Sequence, residues 1–152
     1  MNIDFEKKDY RFNARVSAII LNSEKNKILL FKVEDGRNYF MLPGGRVEFY
    51  EDSLAAINRE IFEELGFNLN YKLCAVQENF VVKDNKKITQ YCFCYKAIYN
   101  GKIILDKIPC KDNENQCFYW IDINKLPDYK IYPISTFNLI NSKSIKHIIE
   151  RG

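Results

Sequence analysis

The chain has 152 residues and a mass of 18.0 kDa, the length of one domain over 1–152, with a core that buries roughly 68–70% of the unfolded surface. Hydrophobic residues at 47% and charged residues at 28% exclude a disordered tail, a collagen-like repeat and an acidic solvating segment. With 23 basic against 20 acidic residues the net charge is only +3, which gives nucleic acid and anionic membrane no claim as partners.

Apolar, β-branched runs at 15–21 and 27–33, split by the polar stretch 22–26, predict two strands joined as a hairpin. Tyr39–Leu42 reads as a short strand stopped by Pro43 and followed by Gly44 and Gly45, where a tight turn or a close backbone approach is possible. From Ser53 to Leu65 the period becomes helical, with Leu54, Ile57, Ile61 and Leu65 on one stripe. Asp52 or Ser53 can cap this helix, and Gly66 can end it in a left-handed conformation with Phe67 folded back on Phe62. Two long strands, 71–82 and 87–99, flank the turn Lys83-Asp84-Asn85-Lys86, and a short aromatic strand covers 117–121. One helical turn is expected over 122–126 and a terminal helix over Ser135–Glu150. These elements predict an α/β fold with a mixed sheet covered on two faces.

Five cysteines without a C-x-x-C pair read as reduced thiols, with Cys92 and Cys94 packed on one strand face. No apolar run approaches the ~20 residues of a membrane span and the N-terminus lacks a signal pattern, so a cytoplasmic location is expected. His147 is the one histidine, so a catalytic metal would rest on oxygen ligands.

The chemistry concentrates between Gly45 and Phe67. Glu60, Glu63 and Glu64 fall on one side of the predicted helix through their i, i+3 and i+4 spacing. Six acids stand in this stretch against Arg46 and Arg59. A hard divalent cation such as Mg²⁺ would offset that field, and it ordinarily shares its oxygen shell between carboxylates and phosphates. A phosphate chain is therefore the expected substrate.

The same stretch resembles the box of the Nudix hydrolases, G-x5-E-x7-R-E-U-x-E-E-x-G-U, with every specified position met. The Leu42-Pro43-Gly44-Gly45 approach and the segment Trp120-Ile121-Asp122-Ile123-Asn124-Lys125-Leu126-Pro127 are also similar to that family. The resemblance implies an α/β/α sandwich and Mg²⁺-dependent hydrolysis, with Mn²⁺ as a possible substitute, of a nucleoside diphosphate linked to a group X. It implies Glu60, Glu63, Glu64 and the Gly45 carbonyl as metal ligands. Glu63 or Glu64 would orient or deprotonate water, and Arg59 would pair with Glu51 or Glu48. Glu114, in the loop before the tryptophan strand, is the expected further acid, with Asp112 and Glu78 as substitutes. Arg15, Lys32 and Arg46, together with Phe12 and Arg37, are candidate substrate contacts. The stretches 81–83 and 84–85 lack the proline and tyrosine that mark ADP-ribose and diadenosine polyphosphate hydrolases, so a nucleoside triphosphate or modified nucleotide is favoured, acted on by a monomer or homodimer. The alternatives are an RNA 5′-end pyrophosphohydrolase and a non-catalytic nucleotide-sensing module.

Overall fold

The computed structural model describes residues 1–133 and 135–152. Among them eleven strands form one mixed sheet: β1 Asp4–Lys7, β2 Tyr10–Asn22, β3 Lys27–Val33, β4 Phe40–Met41, β5 Gly44–Arg46, β6 Lys72–Lys83, β7 Lys86–Tyr99, β8 Lys107–Pro109, β9 Gln116–Asp122, β10 Ile131–Tyr132 and β11 Lys146–Arg151. The helix α1 spans Ser53–Leu65, a 3-10 turn covers Ile123–Asp128, and α2 is the short Thr136–Leu139.

The second half of β2, 16–22, is buried on both faces and is accordingly apolar almost throughout, whereas its first half carries Arg11, Asn13 and Arg15. Val16, Ala18 and Ile20 join Ala56, Ile57, Ile61 and Leu65 of α1 in one core, while Ile19 and Leu21 join Leu126, Ile131, Leu139 and Ile140 in the other. One edge of β2 runs parallel to β7 from Tyr10↔Lys87 to Asn22↔Tyr99. Its other edge is divided among β1, β5 and β3. The expected hairpin of the first two strands is therefore only nominal: β2 and β3 share the single pair Leu21↔Ile28, and β3 turns away to pair with β9 over seven residues. The space so opened admits β5, with Val16 opposite Gly45 and Arg15 opposite Arg46. The β6–β7 hairpin forms as expected, with Asp84 and Asn85 at positive φ in its turn.

The sequence expectations need correction in three places. The terminal helix over 135–150 is replaced by the four-residue α2 and by β11, which adds parallel to β6 from Lys146↔Ala75 to Arg151↔Phe80. Ile145, Ile148 and Ile149 are stiff β-branched residues that suit an extended edge, and the polar run 141–144 stops the helix early. Leu54 is 45% exposed instead of joining the apolar stripe, because the first turn of α1 is held by polar contacts: Asp52 accepts from the Ala55 amide at 2.7 Å and Ser53 bonds Tyr95 at 2.6 Å. Gly66 ends the helix at φ 74° with its N–H donating to Phe62 O, but Phe67 does not fold back on Phe62. It stacks on Tyr99 at 4.4 Å, and Phe62 is exposed.

Candidate active site

The loop before α1 is built around Arg59. Its Nε and Nη2 donate to both oxygens of Glu51 at 2.8 and 2.9 Å, Nη2 also donates to the Arg46 carbonyl at 3.0 Å, and Nη1 reaches Glu60 at 3.0 Å and Glu63 at 3.5 Å. The Glu48 amide donates to Glu51 Oε1 at 3.0 Å. Of the two acids expected beside Arg59, it is thus Glu51 that takes the fork, and Glu48 contributes backbone. Paired this way, Glu51 titrates below and Arg59 above its ordinary range, in each case chiefly through their mutual hydrogen bonds.

The three helical carboxylates do not stand alike. Glu63 is 47% exposed and turned to Arg59. Glu64 lies closer to the packed stripe and is buried. Its carboxyl titrates well above the usual range, first because burial disfavours the charged form and next because Glu60 and Asp112 are nearby. Glu60 is raised as well by burial, with Arg59 opposing.

Gly45 makes this arrangement possible. A Cβ on it would fall 2.5 Å from Glu60 Oε1 and closer still to Cδ, so the Glu60 carboxylate occupies the space a side chain would take. Gly44 differs: its Cβ would strike the backbone of β2 at Val16 and Ser17.

The half-buried Glu60 against Gly45 and the buried Glu64 beside it are an all-oxygen donor set with excess acid, which suits a hard divalent ion in kind. As the side chains stand, the described residues hold no group of three or more acid, cysteine or histidine side chains gathered for an ion; Glu63 is engaged with Arg59 instead.

The candidate substrate contacts lie across the sheet. By strand alternation Arg15 and Arg46 share the face opposite α1, and Lys32, with its Nζ 5.8 Å from the Phe40 ring, lies on that face too. Burial lowers the affinity of Arg15 for its proton, Arg46 adds to that, and Glu60 and Glu64 are close enough to offset it in part. Arg15 forms no ion pair among the described residues, whereas Arg46 donates to Asp4 at 2.8 Å, an acid that also takes a bidentate bond from Arg11. Phe12 packs edge-on against Tyr91 at 5.2 Å, and the exposed Arg37 pairs with Asp35.

Among the proposed further acids, Asp112 is the one whose charge reaches Glu64, and it accepts from the Cys110 thiol at 3.0 Å. The Lys111 amide donates to the Glu64 carbonyl, tying this loop to the end of α1. Glu114 is exposed in the same loop, and Glu78 on β6 is held by His147 at 2.5 Å.

Two features are not anticipated by the sequence reading. Asp4 anchors Arg46 from 42 positions away, and no local pattern signals it. The face carrying Arg15 continues as a row of amides: Gln90 donates to Asn13 at 2.9 Å, Asn79 donates to Gln90 at 3.2 Å, and Asn79 Oδ1 is buried with no partner among the described residues. Their alternation on β2, β6 and β7 is the signal that polar residues at inward positions carry. All five cysteines are free, four of them buried, and Cys92 and Cys94 pack on β7 as expected.

A loop clamped by arginine to a helix that presents acidic side chains under a glycine, on a mixed sheet, defines a class of phosphoanhydride-hydrolysing folds. The NUDIX domain family model matches residues 11–139, and the chain belongs to that family, whose members are hydrolases of pyrophosphate bonds acting on nucleotide substrates. No curated protein sequence matches the chain. Among solved structures it is similar to the mutator MutT protein of Bacillus halodurans, with a TM-score of 0.67 and 17% identity over 89% of each chain. It is similar also to the MutT NUDIX hydrolase of Burkholderia pseudomallei, with a TM-score of 0.64 and 21% identity over 88% of this chain and 98% of that one. The NUDIX hydrolase of Nitrosomonas europaea aligns with a TM-score of 0.63 and 17% identity over 92% and 79% of the two chains. Among the described residues no helix is long and apolar enough to cross a membrane.

Proposed function

We propose that residues 1–152 act as one cytoplasmic domain that hydrolyses a nucleoside diphosphate linked to a group X, with a nucleoside triphosphate or modified nucleotide as substrate. Water attacks phosphorus. The observation that carries this reading is Glu60, set against Gly45 and beside the buried Glu64, with both carboxyls within electrostatic reach of Arg15, which forms no ion pair among the described residues.

In this reading Glu60, Glu63, Glu64 and the Gly45 carbonyl hold Mg²⁺, or Mn²⁺ in its place. The ion, when bound, supplies positive charge to the phosphate oxygens. Of the three candidate cations, Arg15 is the one whose charge reaches Glu60 and Glu64, and Arg46, oriented by Asp4, and Lys32 are the further cations offered to the phosphate chain. Arg59 and Glu51 hold the loop against α1 so that Gly45 stays over Glu60. Glu63 or Glu64 orients the attacking water and accepts its proton, and Glu114 is the acid supplied by the 111–116 loop. The partnerless Asn79 acceptor supports a nucleoside on the Arg15 face, because a base offers N–H donors to such a group.

The test is a panel of nucleoside triphosphates and diphosphate-X compounds incubated with and without Mg²⁺, with every product identified. Mg²⁺-dependent cleavage of an anhydride bond in at least one compound is expected. Saturable nucleotide binding without turnover would replace this reading with that of a sensing module.

A further inference from the structure

A cavity of about 900 Å³ opens at the far end of the sheet from Arg15, between the ends of β2 and β7 and the chain segments 66–72 and 140–143. Leu21 on its wall is six residues along β2 from Arg15, which at strand rise is about 20 Å away. Gly66 at the end of α1 lines it, but Gly45, Glu60, Glu63 and Glu64 do not, so it is a different opening from the site built around Gly45.

Its lining has one sign of charge. Lys25, Lys72, Lys96 and Lys143 border it, and no aspartate or glutamate does. None of the four forms an ion pair among the described residues, in a structure where Lys27, Lys86, Lys107 and Lys125 all do. Lys96 is partly buried and donates to two carbonyl oxygens, Ile140 at 2.7 Å and Ser142 at 3.1 Å. An ammonium has three N–H donors, so one is left for another acceptor. Those two bonds also fix the 140–143 wall to β7. The nearest acid in the 22–26 turn, Glu24, is taken by the Asn22 amide at 3.2 Å. Asn68 and Asn100 add neutral donors to the same lining.

We propose that this cavity is a second anion site that binds a small polyphosphate-bearing molecule. Four like charges bordering one concavity, three exposed and Lys96 partly buried, repel one another, and a multivalent anion offsets that repulsion while filling the donors. The volume lies within the range of small-molecule sites, roughly 300–1,000 Å³. A nucleic-acid strand fits less well, because it calls for cations strung along a groove with bases stacked beside them; here the lysines surround one hollow.

Inorganic tripolyphosphate is the probe, titrated into the full chain in EDTA so that the metal-dependent site does not contribute. Calorimetry is expected to show one saturable site per chain, with a rise in Tm that saturates over the same concentrations. Lys72 and Lys143 are exposed, so the double change Lys72→Gln, Lys143→Gln leaves the Tm without ligand unchanged and weakens binding at least tenfold. Arg15→Gln leaves the affinity within twofold. The proposal is overturned by the absence of saturable binding, by loss of binding in Arg15→Gln with retention in the lysine pair, or by equal weakening in both, which marks diffuse attraction. It also falls if a single-stranded RNA oligonucleotide binds more tightly than tripolyphosphate through the same lysines.

Discussion

The two faces of the sheet are covered in different ways. One carries α1, thirteen residues with a regular apolar stripe, a side-chain cap and a glycine terminator. The other is closed by a 3-10 turn and a four-residue helix, with Ile148 of the edge strand β11 packed against it, yet its core contains as many large fully buried aliphatic side chains, among them Ile19, Ile28, Leu30, Leu126 and Leu139. Regular secondary structure is therefore not needed to bury a face. What α1 adds is charge placement: it brings Glu60 up to Gly45 with the buried Glu64 beside it, while the opposite face collects Arg15, Arg46 and Lys32.

The largest expected effect tests whether the irregular face matters equally for stability. Leu139→Ala should cost about 2–5 kcal/mol, comparable to Ile57→Ala under α1; urea unfolding of the two variants measures this, and a Leu139 cost below about 1 kcal/mol would make that face a loose cover. On the α1 side, Glu64→Gln should lower turnover at least tenfold while raising the Tm of the metal-free protein, since the amide keeps the shape and is spared the cost of burying the carboxylate or taking up a proton on folding. Turnover near that of the wild type would remove Glu64 from the chemistry.

The adjacent glycines separate the two roles. Gly44→Ala forces the backbone of β2 to move and should lower Tm by several degrees, roughly 1–3 kcal/mol as for overpacking. Gly45→Ala meets only a carboxylate tip, so it should keep Tm nearly constant and reduce turnover by displacing Glu60. Equal Tm losses for both would contradict the distinction. Gly66→Val should destabilise by about 1 kcal/mol or more, from positive φ and from collision with the Lys111 side chain lying over it; unchanged thermal unfolding would show that this end of α1 is not a constraint.

The smallest effect is a pH dependence. Hydrogen bonding from Arg11, reinforced by Arg46, holds the Asp4 carboxyl down at about 2, below its unfolded value. A depressed carboxyl contributes stability above its unfolded pKa and loses it as pH falls through the folded one. The stability gap between wild type and Asp4→Asn should accordingly narrow between about pH 4 and pH 2, measured by thermal unfolding. A constant gap would mean that Asp4 does not anchor the two arginines.

The helix α1, its caps and the Arg59 clamp were legible because they depend on residues within about a dozen positions of one another, where periodicity and side-chain chemistry suffice. The opposite face was not. The segment 135–150 carries apolar residues at helical spacing, and only the free edge of β6 makes Ile148 and its neighbours extend. Likewise spacing puts Glu60, Glu63 and Glu64 on one side of α1, but only the docking of β5 shows that Gly45 stands against Glu60 while Glu63 is left in solvent. Asp4 meets Arg46 from 42 positions away with no local pattern to announce it, and although alternation marks Asn13, Asn79 and Gln90 as inward polar residues, only the strand pairing shows that they join one another.

The parallel pairing of β2 with β7 sets residue 10 beside residue 87 and residue 22 beside residue 99. Closing a loop of that length precedes most of the contacts that reward it, and such non-local topologies fold slowly, in milliseconds to seconds. Gly45, Arg59 and the three glutamates all lie inside that loop. The helix can flicker into shape early, but the glycine over Glu60 comes into register only when β5 finds the edge of an already seated β2. In a refolding experiment the far-ultraviolet helical signal should therefore precede recovery of turnover, and the delay between them should follow the docking of β2 on β7.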